Sequence, residues 1–66
     1  MLFRSISARE TDVLRLIAQG LSTREIAKKL CYSERTVKSL LHDVTVRFEL
    51  RNRSHAVAFA VREGLI

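Results

Sequence analysis

The residues best placed to do chemistry in this chain are Arg35, Lys38, Ser39 and His42. They are spaced along Ser33–Arg47 (SERTVKSLLHDVTVR) so that, at about 100° per residue, they share one side of a helix. On the other side Val37, Leu40, Leu41, Val44 and Phe48 form an apolar stripe. All four outward residues donate hydrogen bonds and none is a carboxylate. Ser33 stands in front as an N-cap, its hydroxyl suited to accept from the free amides of the first turn. A helix anchored on one side and offering Arg, Lys, Ser and His on the other fits the major groove of DNA. An ordinary amphipathic surface helix also carries a charged outer face, so this stretch alone leaves both readings open.

No catalytic arrangement competes. His42 and His55 have no nucleophile beside them, and the carboxylates are scattered among basic residues rather than paired. There is no glycine-rich phosphate loop and no run of aromatics for stacking single strands. The chain is therefore read as a non-enzyme that needs no cofactor. Cys31 is the sole cysteine, so no disulfide closes within the chain, and neither histidine has ligand spacing to it for a metal. In an apolar turn it is expected to be a small buried hydrophobe. It implies a reducing, cytoplasmic compartment.

Twelve Lys and Arg against seven Asp and Glu give a net charge of +5 in 66 residues. That balance favours a polyanionic partner, nucleic acid before membrane, although small basic domains that bind nothing acidic are common. A hydrophobic fraction of 47% argues for a folded domain over disorder. The longest apolar run falls far short of the ~20 residues that span a bilayer. Nor does a signal-peptide core follow Met1–Arg4.

The elements that must position the third helix can be read in order. Proline is absent and strand-like alternation is missing, so the single domain is expected to be all-α. Residues 1–6 are a lead-in in which Leu2, Phe3 and Ile6 can cover a core edge. Ser7-Ala8-Arg9-Glu10 is a capping box opening a helix over about 8–19, with Val13, Leu14, Ile17, Ala18 and Leu21 turned inward and Gly20 ending it. Ser22-Thr23-Arg24-Glu25 is a second capping box for a short helix over 23–30, burying Ile26, Ala27 and Leu30. The small Ala27 lets the next helix approach closely. Cys31-Tyr32-Ser33 then makes a tight turn into the third helix, about 34–47, which completes a helix-turn-helix unit. Cys31 takes a place where glycine is common, at a cost of about 1 kcal/mol.

Asn52 caps a last helix over about 53–63, closed by Gly64. Ala56, Phe59 and Ala60 form one side, and Val57, Ala58 and Val61 continue the apolar arc. Either a second copy of the chain covers that arc or Leu65 and Ile66 fold over it.

Taken together, these residues resemble the LuxR-type DNA-binding domain, the four-helix output module of many bacterial response and quorum regulators. The resemblance covers roughly Ile6–Ile66. It rests on Ser7-Ala8-Arg9-Glu10, Val13-Leu14, Ala18, Gly20, Ser22, Glu25-Ile26-Ala27, Leu30, Ser33, Thr36-Val37-Lys38, Arg53, Ala56-Val57, Ala60 and Gly64-Leu65-Ile66. It implies sequence-specific binding of double-stranded DNA to regulate transcription. Lys38, Ser39 and His42 match positions that face base edges, and Arg35 can contact base or phosphate. Thr36, Arg24, Arg47 and Arg53 match phosphate positions, with Lys28 beside them.

The family's last helix implies a homodimer through Val57, Ala58 and Val61 on inverted-repeat sites, and RNA polymerase is a candidate further partner. Three positions depart from the family pattern: Ala8 replaces a frequent proline, Tyr32 replaces Ile or Val before the cap serine, and Leu40 replaces a frequent histidine. Leu40 turns toward the core and removes one polar contact. The promoter-binding region of a sigma factor shares part of the pattern but not the Arg53–Ile66 segment. A helical module that binds only protein would draw on the apolar arc of the last helix. Domains of this type usually follow a receiver or ligand-binding domain, so an excised module and a stand-alone regulator both fit.

Overall fold

The computed structural model describes residues 6–65. The expectations placed on Leu2, Phe3 and Ile66 lie outside the described residues. Four helices follow in order: α1 (Ala8–Ala18), α2 (Thr23–Leu30), α3 (Glu34–Arg47) and α4 (Arg53–Arg62). The expected starts are met, and α1 and α4 each stop one residue early. The described residues contain no strand.

Each helix begins on the side chain expected of it. The hydroxyls of Ser7, Ser22 and Ser33 accept from the amides of Glu10, Glu25 and Thr36 at 3.1, 3.2 and 3.1 Å. The Asn52 side-chain oxygen Oδ1 accepts from the His55 amide at 2.8 Å. In both expected capping boxes the carboxylate reaches back: the Ser7 amide donates to Glu10 at 3.1 Å and the Ser22 amide to Glu25 at 2.8 Å. These contacts satisfy amides that have no partner inside the helix.

The four ends also share one geometry. Gly20, Cys31, Glu49 and Gly64 each adopt a left-handed backbone, with φ of 93°, 60°, 56° and 74°. The following amides of Leu21, Tyr32, Leu50 and Leu65 donate back to Leu16, Ala27, Thr45 and Ala60. This is a Schellman-type closure that satisfies the last carbonyls and turns the chain sharply. Glycine adopts that backbone freely; Cys31 and Glu49 do not, since a Cβ there crowds the carbonyl. Cys31→Gly is accordingly expected to raise stability by about 1 kcal/mol, which for a domain this small is about 4–8 °C in Tm. Thermal unfolding followed by circular dichroism checks it, and an unchanged or lower Tm would show that the turn carries no such cost.

α1 is the central element and packs against each of the other three helices, while α2 packs on α3. One buried cluster, Val13, Leu16, Ile17, Ile26, Ala27 and Val37, joins α1 to the helix-turn-helix. A second, Leu14, Val44, Ala56 and Ala60, joins α1, α3 and α4. The small residues lie where helices meet: Ala27 is buried in the first cluster, and Ala56 and Ala60 are fully buried in the second. Phe48 and Phe59 close the edge of the second cluster with tilted rings 4.6 Å apart.

Two expectations are corrected and a third is narrowed. Leu16 is buried and Ala18 exposed, because a helix contacted on three sides buries a wider arc than a single stripe predicts. Cys31 is exposed rather than buried, since the left-handed turn carries its side chain outward. Val57 is half-buried and packs against the first cluster, so only part of its side chain is left to the outer arc.

Candidate nucleic-acid interface

α3 is held from below by Val37 and Val44, 0% and 1% exposed, with Leu40, Leu41 and Phe48 half-buried against the two clusters. This is the apolar stripe expected of it, and Leu40 turns to the core as expected. The opposite side is open: Arg35, Lys38, Ser39 and His42 are all exposed. Together with Glu34 and Asp43 they line one shallow surface recess. The expected face is thus assembled, with one correction. Two carboxylates flank it, because Glu34 precedes Lys38 by one turn and Asp43 adjoins His42 along the helix.

Glu34 is engaged on two sides. Lys38 Nζ lies 3.7 Å from Glu34 Oε2, and the Thr23 hydroxyl donates to the same oxygen at 3.3 Å. The Lys38 and Glu34 side chains remain 65% and 47% exposed, so this pair contributes only about 0.3–0.5 kcal/mol to stability. Lys38 can leave it at little cost.

The expected phosphate residues divide into two groups. Arg24, Lys28 and Arg53 are exposed, the first two on α2 and the third at the start of α4. Thr36 and Arg47 are engaged within the chain. The Thr36 hydroxyl shares a 2.9 Å hydrogen bond with the Ser33 hydroxyl, inside the α3 cap. Arg47 reaches from the last turn of α3 to the first turn of α1, where it forms a two-pronged ion pair with Glu10. Nη1 donates to Oε1 at 3.2 Å, and Nη2 donates to Oε2.

Glu10 is 5% exposed and is the buried charged residue of the described chain. Burial alone would push its carboxyl up. The Arg47 hydrogen bonds, the Ser7 amide, the Arg47 charge and the Ser7 hydroxyl outweigh that and hold it below its ordinary 4.5. The same hydrogen bonding with Glu10 raises the Arg47 guanidinium further. Glu10 therefore closes the α1 capping box and ties α1 to α3. The cap is visible from residues three apart, whereas the tie joins residues 37 apart and has no local signal.

Tyr32 has a comparable role. It is half-buried against the first cluster, and Arg9 of α1 lies over its ring at 4.8 Å and donates to its hydroxyl at 3.3 Å. This stacking fixes the turn of the helix-turn-helix to α1. The His55 ring is likewise spoken for, since Nδ1 accepts from the Arg51 amide at 3.0 Å. No group of His, Cys, Asp and Glu suited to a metal occurs among the described residues. No helix among them is long and apolar enough to cross a membrane.

Known proteins match this arrangement along nearly the whole chain. The family of bacterial regulatory proteins of the luxR type matches residues 4–60. The transcriptional regulatory protein YxjL of Bacillus subtilis is 41% identical over 58 residues, which cover 88% of this chain and 27% of that protein. The response regulator VraR of Staphylococcus aureus is 34% identical over 65 residues, covering 98% of this chain and 31% of its own length. The crystal structure of ChrA, the response regulator of a heme-sensing two-component system, superposes with a TM-score of 0.89 at 38% identity. It takes in 100% of this chain and 33% of that one. The chain thus spans about a third of the length of these relatives, and the shared third is the four-helix unit described above. The helix-turn-helix, its exposed donor face and the extent of the match agree: this chain belongs to the luxR family of bacterial regulatory proteins, as a DNA-binding domain of that family's transcription regulators.

Proposed function

We propose that α3 enters the major groove of double-stranded DNA, with Lys38, Ser39, His42 and Arg35 reading base edges. The observation that carries this is the open recess on α3, where four donor side chains stand on a helix whose other side is locked into the core. Arg and Lys donate to guanine acceptors, and Ser and His donate to or accept from several bases. Arg24, Lys28 and Arg53 supply the phosphate anchors that set register. Thr36 and Arg47 are further candidate anchors, each already holding a partner in the free chain, Ser33 and Glu10.

The reading predicts that Lys38→Ala weakens binding to a duplex enriched from a random pool by about 1–3 kcal/mol, while binding to random duplex falls less. Fluorescence anisotropy with both duplexes measures it. Equal losses on the two would make Lys38 a phosphate contact and nothing more.

On inverted-repeat DNA two copies pair through α4, each placing one recognition helix in a half-site. Support comes from Ala58, which is exposed, and Val61, which is 58% exposed on the same helix. Val57, half-buried against the first cluster, offers that surface only the part of its side chain left open. Val61→Glu is expected to leave the monomer fold intact and reduce the two-to-one complex on an inverted repeat. Analytical ultracentrifugation of the protein–duplex mixture tests it, and an unchanged two-to-one complex would move the pairing surface elsewhere. In the cell such occupancy would regulate transcription, with RNA polymerase as the downstream partner.

A further inference from the structure

Two large apolar side chains stand exposed among the described residues, Val61 at 58% and Val46 at 62%. Val61 belongs to the pairing surface proposed for α4. Val46 is on α3 and packs into neither buried cluster. A single exposed valine is ordinary on a protein surface. The position of this one is not. At about 100° per residue it lies about 20° round the helix from Arg35 and Ser39, and about 40° from His42. It stands about 160° from the buried Val44. Val46 thus continues the donor face one turn beyond His42, as an exposed side chain there that cannot donate a hydrogen bond. Nor does the helix call for it, since a β-branched residue forms helix less readily than the long polar residues that usually fill such a place.

We propose that Val46 is a specificity-determining residue that reads thymine, by packing its methyl groups on a thymine C5-methyl near one end of the stretch that α3 covers. This rests on the major-groove reading of α3 given above. The base edges of that groove present donors, acceptors and one apolar group, the thymine methyl. Arg35, Lys38, Ser39 and His42 suit the acceptors. Valine suits only the methyl, because set against a phosphate or a polar base edge it would displace water without replacing its hydrogen bonds. Against the methyl, both partners lose apolar surface to water. The reach is sufficient: Arg35 to Val46 spans about 16 Å of helix, the length of about five base-pair steps.

Replacing the thymines of an enriched duplex by uracil, one at a time, deletes the C5-methyl and leaves base pairing intact. Fluorescence anisotropy should show the wild type losing about fourfold in affinity at one such position, the worth of one buried methyl. Val46→Ala should lose about fourfold on the thymine duplex and nothing more when that thymine becomes uracil. On random duplex it should bind as the wild type does. Its slope of log K against log salt should also be unchanged, since valine neutralises no phosphate.

Three results would overturn the proposal. They are an enriched duplex in which no thymine is sensitive to uracil, a sensitivity that stays fourfold in Val46→Ala, or an equal loss by that variant on enriched and random duplex. If Lys38→Ala still discriminates between the two duplexes in such a case, the major-groove reading stands and only the role of Val46 falls. A wild-type chain that binds both duplexes equally would sink that reading, and this proposal with it. Thermal melting of Val46→Ala confirms that the comparison is made between folded proteins.

Discussion

Ile26→Ala is expected to leave the chain largely unfolded at room temperature. Ile26 is fully buried on α2, in the cluster that also holds Val13, Leu16, Ile17, Ala27 and Val37. Removing buried methylenes loses their transfer free energy and leaves a cavity, together about 2–5 kcal/mol for Ile→Ala. A single core in a chain of this size supplies only about 3–5 kcal/mol in all. The loss is comparable with the whole stability. Val46→Ala deletes two carbons, against three for Ile26→Ala, from a side chain that is 62% exposed, and should change stability by no more than about 0.5 kcal/mol. Far-ultraviolet circular dichroism on the two variants gives the comparison directly. An Ile26→Ala protein melting close to the wild type would mean that α2 is not held by this cluster. Saturating duplex should restore some of its helicity, since a ligand that binds the folded form draws the equilibrium toward it.

The second large effect concerns Glu10. Glu10→Ala is expected to cost about 2–3 kcal/mol, because it removes charge-assisted hydrogen bonds and leaves a guanidinium without its buried counter-charge. The Arg47 side chain is 34% exposed, so water covers part of the loss and the upper end for a fully buried pair is not reached. Replacing Arg47 by Met in the same protein should recover part of it, which a double-mutant cycle in urea unfolding quantifies. Strictly additive losses would show that the two residues do not act as a pair.

The pair also sets a direction in pH. The folded Glu10 carboxyl lies below its ordinary 4.5, so the folded state binds its proton less readily than the unfolded one. Its contribution is complete above that ordinary value and is lost as pH falls through the lowered one. Glu10→Gln should flatten the acid side of the stability profile over that window. A wild-type profile no steeper there than the variant's would contradict the assignment.

The parts of this fold that are legible in sequence are those written by near neighbours. Ser7, Ser22, Ser33 and Asn52 announce helix starts because each bonds an amide three residues on. Gly20 and Gly64 announce ends because a left-handed backbone suits glycine. Glu49 closes α3 in the same conformation without a glycine to mark it. Periodicity assigns the α3 stripe correctly since α3 buries a single face. It misassigns Leu16 and Ala18 on α1, since a central helix buries more than one face.

The candidate site divides along the same line. Arg35, Lys38, Ser39 and His42 share a face by helical spacing alone, and the structure gathers them in one recess. What escapes the sequence is what other elements bring to them: the Thr23 hydroxyl on Glu34, the Arg9 guanidinium over Tyr32, and Glu10 on Arg47. Arg47 shows the consequence most clearly. Its type and place suit a phosphate, yet a carboxylate 37 residues earlier in the chain holds its guanidinium.

The central claim is that the donor face of α3 reads base edges in double-stranded DNA while exposed cations around it hold phosphates. Its most direct test is the affinity of the 66-residue chain for an enriched duplex and for a random one, measured across a salt series. The account predicts that log K falls linearly with log salt on both, by about 0.9 for each phosphate neutralised. It also predicts that the enriched duplex stays tighter at every salt concentration. Binding that is indifferent to salt, or equal on the two duplexes throughout, would contradict it.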